Sequence, residues 1–209
     1  MVYIIMSGIF FQIGTNNGND VFRDKVKTDN PIQIILVEPN KSLINDIKNN
    51  YKDIENVHIF NNAIYYNNNE DVDLYIPKNN GYSTGHFSLL PMNDWGEKNT
   101  MDKFVAKSIT FDEICRQHDI TDIDFLQIDT EGFDSEIIKM IDFNKYNIKQ
   151  IRFEKWGFDT SCFTRHQSDL SNELGVNGMN ASIEKLKRHN YSIDEIKDRS
   201  GNDIIATKN

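Results

Sequence analysis

The stretch PIQIILVE (Pro31–Glu38) is apolar on both faces that a strand would present. Such a strand is stable only where both faces are covered, as in a parallel sheet with helices packed above and below it. GIFFQI (Gly8–Ile13) and IDFLQIDTEG (Ile123–Gly132) have a similar character, and each run gives way to glycine or to acidic residues. Helical stretches separate the runs. Asn19–Lys27 places Val21, Phe22 and Val26 on one side, and Pro39–Asn50 offers Asn40 as a cap with Leu43, Ile44 and Ile47 as its inner stripe. Thr110–His118 opens with a Thr-x-x-Glu capping box, Phe133–Ile141 turns four apolar residues inward, and Ala181–Asn190 is a further helix. Additional strands are expected at Asn56–Tyr65, Asp71–Pro77, Lys103–Ile109, Ile148–Trp156, Tyr191–Lys197 and Asp203–Lys208. Asn67–Asn69 reads as a turn that would make Asn56–Tyr65 and Asp71–Pro77 a hairpin. The alternation specifies an α/β fold with a mostly parallel, doubly wound sheet and helices on both faces.

At 209 residues, the chain is expected to form one domain, with irregular insertions at 78–100 and 157–180. Tyr82, His86, Phe87 and Trp95 suggest that the first insertion walls a site. A net charge of −9 argues against a nucleic-acid or anionic-membrane partner, since phosphate neutralisation needs clustered Lys and Arg. The one basic cluster, Lys185–His189, reads as a solvated helix face. Cys115 and Cys162 form neither a metal spacing nor a disulfide framework, and no apolar run reaches membrane-span length. A cytoplasmic location is the expectation.

In a doubly wound sheet, ligands bind outside the carboxyl ends of the strands, where the strand order switches direction. Gly14 and Gly18 would let the backbone turn sharply there and approach a ligand closely. The second strand then ends in Glu38, at the place where an acid bonds ribose hydroxyls. A glycine turn with an acid in that register points to an adenosine-containing cofactor. A dinucleotide site carries G-x-G-x-x-G, whereas this chain has G-x-x-x-G, which suits a cofactor without phosphates such as S-adenosylmethionine. The alternatives are a nicotinamide-dependent oxidoreductase and a non-catalytic ligand-binding module on the same fold.

FFQIGTNNG, ILVEPN, NNAIY, SITFDEI and above all IDFLQIDTEGFDSEII resemble the FkbM family of S-adenosylmethionine-dependent methyltransferases, in order and spacing from about Phe10 to Thr207. The resemblance implies a Rossmann-like class I sheet of seven strands whose last strand runs antiparallel, and O-methylation of hydroxyls on carbohydrates or small metabolites. It implies that Gly14, Thr15, Asn16, Asn17 and Gly18 wrap the methionine part of the cofactor, with Gln12 behind them. It places Glu38 and Pro39 at the ribose, Asn62 and Ala63 near adenine, and Asp129 and Glu131 beside the transferable methyl group. Gln12 is a departure, because many class I methyltransferases have an acid there. Relatives often carry helices ahead of the first strand that help to cover the site; here the two insertions or a second subunit would do so, hence a homodimer is an option.

Methyl transfer to a hydroxyl needs alignment and removal of a proton. Asp129 and Glu154 are expected at the ends of adjacent strands, where two converging carboxylates would raise one pKa and make a general base. They could equally hold a divalent cation that acidifies the acceptor. Read structurally, Asp129 would cap the following helix and Glu154 would pair with Arg152 or Lys155. His86 is a further candidate base.

Overall fold

The apolar runs form the centre of a seven-stranded sheet. A computed structural model describes residues 8–77, 101–155, 177–198 and 201–209. Strands β1 (Ile9–Ile13), β2 (Gln33–Val37), β3 (Val57–Phe60), β7 (Asp122–Ile128) and β8 (Asn147–Glu154) run parallel. The last two, β9 (Tyr191–Asp198) and β10 (Gly201–Lys208), form an antiparallel pair, and β10 also lies antiparallel to β8. The order is β3-β2-β1-β7-β8-β10-β9, so the chain winds outward in opposite directions from β1 and β7. The crevice between the ends of those two strands is the switch point.

Each face of the sheet has its own cover. Phe10, Ile34, Leu36 and Phe125 meet Phe22 and Val26 of α1 (Val21–Asp29) and Ile47 of α2 (Ile44–Asn50). Phe11, Ile35, Leu126, Ile151 and Ile204 form the opposite core with residues of α3 (Phe111–Gln117), α4 (Asp134–Met140) and α5 (Gly178–Arg188). Each of these large side chains contributes about 1.5–3 kcal/mol when removed from water. The expected caps form. Asp20 accepts from the Arg23 N–H at the start of α1, Thr110 accepts from Glu113 N–H at the start of α3, and Asn40 caps the 3-10 turn Lys41–Leu43 that precedes α2. The capping box of α3 is only half closed, because the Glu113 carboxylate turns to Arg116 and Gln117 instead of reaching back.

The expected hairpin is not found. Asn56–Tyr65 breaks into β3 and β4 (Ala63–Ile64), and β5 (Asp71–Pro77) pairs antiparallel with β6 (Met101–Ile109) along its whole length. β6 lies between β4 and β5 in a separate three-stranded sheet. The reason is specific pairing. Ser108 on β6 accepts from Glu70 N–H and donates to Asn67 O, which fixes the Asn67–Glu70 turn against β6, while Asp71–Lys107 and Asp73–Lys103 match charge across the ladder.

Nor is Lys185 part of a solvated basic face. Its ammonium donates to the carbonyls of Ile138, Lys139 and Ile141 at 3.1, 2.7 and 2.7 Å, capping the carboxyl end of α4. Lys187 and Arg188 do remain exposed. Replacing Lys185 with methionine leaves three carbonyls unpaired, and the expected loss is about 1–3 kcal/mol in urea unfolding; an unchanged midpoint would show that water substitutes for the ammonium. Cys115 is fully buried in the core, as expected of its helix.

Candidate active site

The glycine turn is fastened to both neighbouring strands. Gly14 and Thr15 N–H groups donate to Val37 O on β2, and Asp129 N–H donates to Ile13 O. Gly14 has φ of +82°, and a Cβ there would lie 1.7 Å from Asp129 O. The backbone of β1 and that of β7 therefore meet where no side chain fits. Gly18, at φ +73°, closes the loop by donating its N–H to Thr15 O. Two non-glycine residues at the crevice, Asn16 and Glu131, are also left-handed, each at φ +53°. Such backbone is costly for a residue like Glu131 and collects where a site is held in shape.

Glu38 ends β2 and is 1% exposed. One carboxylate oxygen accepts from Asn16 N–H at 2.7 Å and the other from Asn40 N–H at 2.8 Å. Burial nevertheless raises its pKa to about 7, with those two hydrogen bonds lowering it only in part. Asn61 braces the turn from outside by donating to Glu38 O and Pro39 O. A cleft opens above these groups. Gly14, Asn16, Glu38, Pro39, Asn62 and Ala63 all line it, as do Asp129 and Glu131. Its remaining wall is apolar: Ile64, Leu74, Phe133 and Ile137.

Other expected residues stand apart from the cleft wall. Gln12, Thr15, Asn17 and Gly18 shape the loop without lining the cleft. Asn17 is exposed, and its carbonyl oxygen accepts from Asn19 N–H. His86, Tyr82, Trp95 and Trp156 lie outside the described residues.

Asp129 and Glu154 do end adjacent strands: β7 and β8 pair Gln127 with Arg152 and Ile128 with Phe153. Neither takes the structural role open to it. Helix α4 has no side-chain cap, Arg152 pairs with Asp203 and Asp198, and Lys155 pairs with Glu195. Oε2 of Glu154 is buried with no hydrogen-bond partner. Burial, and then the charges of Glu131, Asp134, Asp20 and Asp203, push the Asp129 carboxyl well above the usual range. Burial does the same to Glu154, together with Glu131, Asp129, Asp134 and Asp203. The two carboxyls thus sit in one acidic, poorly solvated corner and compete for a proton. Among the described residues, no group of three or more His, Cys, Asp or Glu side chains is arranged to hold a metal ion.

Asp134 is a residue that sequence reasoning missed. Buried at the first turn of α4, it accepts from Thr130 N–H, from the Thr130 hydroxyl and from Glu154 N–H. It ties the loop that carries Asp129 and Glu131 to the end of β8. Burial raises its pKa to about 6. Asp20 is a second; the signal available in both cases was an acid at a helix start.

A family model described as the Methyltransferase FkbM domain matches residues 12–193. The chain belongs to the FkbM methyltransferase family. The FkbM methyltransferase structure from Methylobacillus flagellatus KT aligns at a TM-score of 0.55 and 13% identity, over 96% of this chain and 43% of that one. SMU.1697c of Streptococcus mutans, solved in complex with S-adenosylhomocysteine, aligns at 0.51 and 8%, over 98% of this chain and 90% of that one. At such identities the likeness shows a shared fold, the class I methyltransferase sheet. No curated protein matches the chain in sequence. The family match decides against the nicotinamide-dependent reading. Among the described residues, no helix is long and apolar enough to cross a membrane.

The cofactor of this FkbM site is S-adenosylmethionine, and the residues present fit it. The Glu38 carboxylate spends one lone pair of each oxygen on a backbone N–H and faces the cleft with acceptor capacity left for a ribose diol. The space beside Gly14 admits no side chain. The apolar wall of Ala63, Ile64 and Leu74 suits a flat base.

Proposed function

We propose that this methyltransferase transfers its methyl group to a hydroxyl oxygen of a carbohydrate or other small metabolite, in the cytoplasm. The observation that carries the reading is the Asp129–Glu154 pair, two poorly solvated carboxyls at neighbouring strand ends with an unpartnered oxygen on Glu154. A neutral hydroxyl both donates and accepts, so it suits a pair that shares one proton. The bound cofactor supplies an electrophilic methyl group on a sulfonium. Asp129, at the cleft wall, would take up the proton that the acceptor hydroxyl gives up on methylation. Glu154 holds that carboxylate's proton balance, and Asp134 fixes the spacing of both by bonding the Thr130 and Glu154 N–H groups. The wall of Phe133 and Ile137 excludes water from the reacting centre.

The test is transfer of a 13C-labelled methyl group to a panel of monosaccharides, nucleotide sugars and phenols, read by NMR. An O-methyl product is expected. Asp129→Asn is expected to lower kcat by about 10²–10⁴-fold. Label on nitrogen or carbon would overturn the O-methyl assignment, and absence of turnover with bound cofactor would favour the non-catalytic module.

A further inference from the structure

Gln12 is fully buried at the end of β1, below the glycine turn. Its Nε2 donates to a carboxylate oxygen of Asp20, while its own Oε1 has no hydrogen-bond partner. Beside it in register on β7 stands Gln127, 4% exposed, and its Oε1 is without a partner as well. Leaving a buried amide oxygen without a donor is costly. Two such oxygens lie on neighbouring strands at the switch point of the sheet, each one residue before an end-of-strand isoleucine, and the one that follows Gln12, Ile13, lines the cleft.

Asp20 faces the same place with a charge. It follows the Gly14–Gly18 loop and caps α1, accepting from Arg23 N–H at 3.1 Å through one oxygen and from Gln12 through the other. Its described hydrogen-bond donors are neutral amides, not cations. It lies close enough to Asp129, on the cleft wall, for its charge to act on that carboxyl. The carboxylate is therefore oriented from two sides, and among the described residues no cation forms an ion pair with it.

We propose that Asp20, held in place by Gln12, supplies the anionic contact for the α-ammonium of the cofactor's methionine end. The charge missing at position 12 is thus delivered by the cap of α1, and Gln12 is the positioning residue that aims it. The proposal rests on the S-adenosylmethionine site described above and names the partner of one part of that ligand.

Calorimetric titration with two probes separates this role from a structural one. S-adenosylhomocysteine carries the ammonium; 5′-methylthioadenosine keeps the nucleoside and the thioether but lacks the amino acid. Asp20→Asn retains a cap, because Asn and Asp cap helices equally well. It is expected to weaken S-adenosylhomocysteine binding by about tenfold, the scale of one charge-assisted hydrogen bond, with 5′-methylthioadenosine within about twofold of the native chain. The double variant Gln12→Glu/Asp20→Asn returns the charge to the strand and reverses the hydrogen bond between the two residues. It is expected to restore S-adenosylhomocysteine affinity to within about threefold. Equal weakening of both probes would show that Asp20 merely shapes the loop and would overturn the proposal. So would an unaffected S-adenosylhomocysteine affinity, or a double variant no better than Asp20→Asn. Failure of the native chain to bind either probe would remove the cofactor assignment itself, a result distinct from all of these.

Discussion

Replacing Glu38 with alanine weakens S-adenosylhomocysteine binding by roughly a hundredfold or more, the expected result of losing two hydrogen bonds to a charged acceptor at about 1.5–3 kcal/mol each. Calorimetry reads this directly, and a loss below about fivefold would remove Glu38 from the ribose site. Glu38→Gln separates charge from shape, since the amide keeps one acceptor for Asn16 or Asn40 N–H. The pH dependence has a definite sign. The folded-state pKa values of Glu38 and Asp134 are raised to about 7 and about 6, from ordinary values of 4.5 and 3.8. Between those limits the folded chain holds protons that the unfolded chain has released. The contribution of these two groups to stability without ligand is therefore greatest near the ordinary carboxylate range and is lost as pH rises to about 7. Affinity runs the other way, because the ribose diol donates to ionised Glu38: it increases with pH up to about 7. Glu38→Gln flattens the upper part of both profiles. A native affinity that is flat from pH 5 to 8 would contradict the assignment of a protonated apo Glu38.

Gly14→Ala is expected to abolish binding and to cost about 2–4 kcal/mol of stability, among the larger effects for a single methyl group. Two causes add. At φ +82° an alanine is strained wherever space exists, and here the new Cβ would stand 1.7 Å from Asp129 O. That oxygen belongs to the backbone at the end of β7, so relief requires β1 and β7 to separate at the switch point. Gly18→Ala is the comparison. Its Cβ meets the edge of the Tyr51 ring at 3.0 Å, and a side chain can shift where backbone cannot. Its expected cost is nearer 1–2 kcal/mol, with binding reduced but measurable. Equal urea midpoints for the two variants would contradict the account of Gly14.

Glu38 was legible in the sequence because an acid that closes an all-apolar run has few other uses, and Gly14 because a turn must follow a strand of that kind. Asp129 and Glu154 could be placed side by side because strand ends in a parallel sheet align. Lys185 was misread, and Asp20 and Asp134 were passed over, for one shared reason. Each acts on a partner in another element, through a register that chain order does not contain. Asp134 looks like an ordinary first-turn acid until Glu154 N–H is found bonded to it. Lys185 belongs to a basic run, yet it alone of that run donates to the end of α4. The hairpin failed because β5 finds its charge-matched partner in β6, more than twenty residues further along the chain, a pairing that chain order does not reveal.

The place of β10 between β8 and β9 has a consequence for synthesis on the ribosome. Arg152, 7% exposed and two residues before Glu154 on β8, finds its counter-ions in Asp198 and Asp203, and Asp203 lies opposite Glu154 in the ladder. A nascent chain that has emerged only as far as α5 holds the glycine turn, Glu38 and Asp129, but not Asp198 and Asp203, the carboxylates that pair with the buried guanidinium. An uncompensated buried charge costs about 3–5 kcal/mol. The acidic corner of Asp129 and Glu154 therefore has its neighbouring guanidinium paired only once β9 and β10 have joined the sheet.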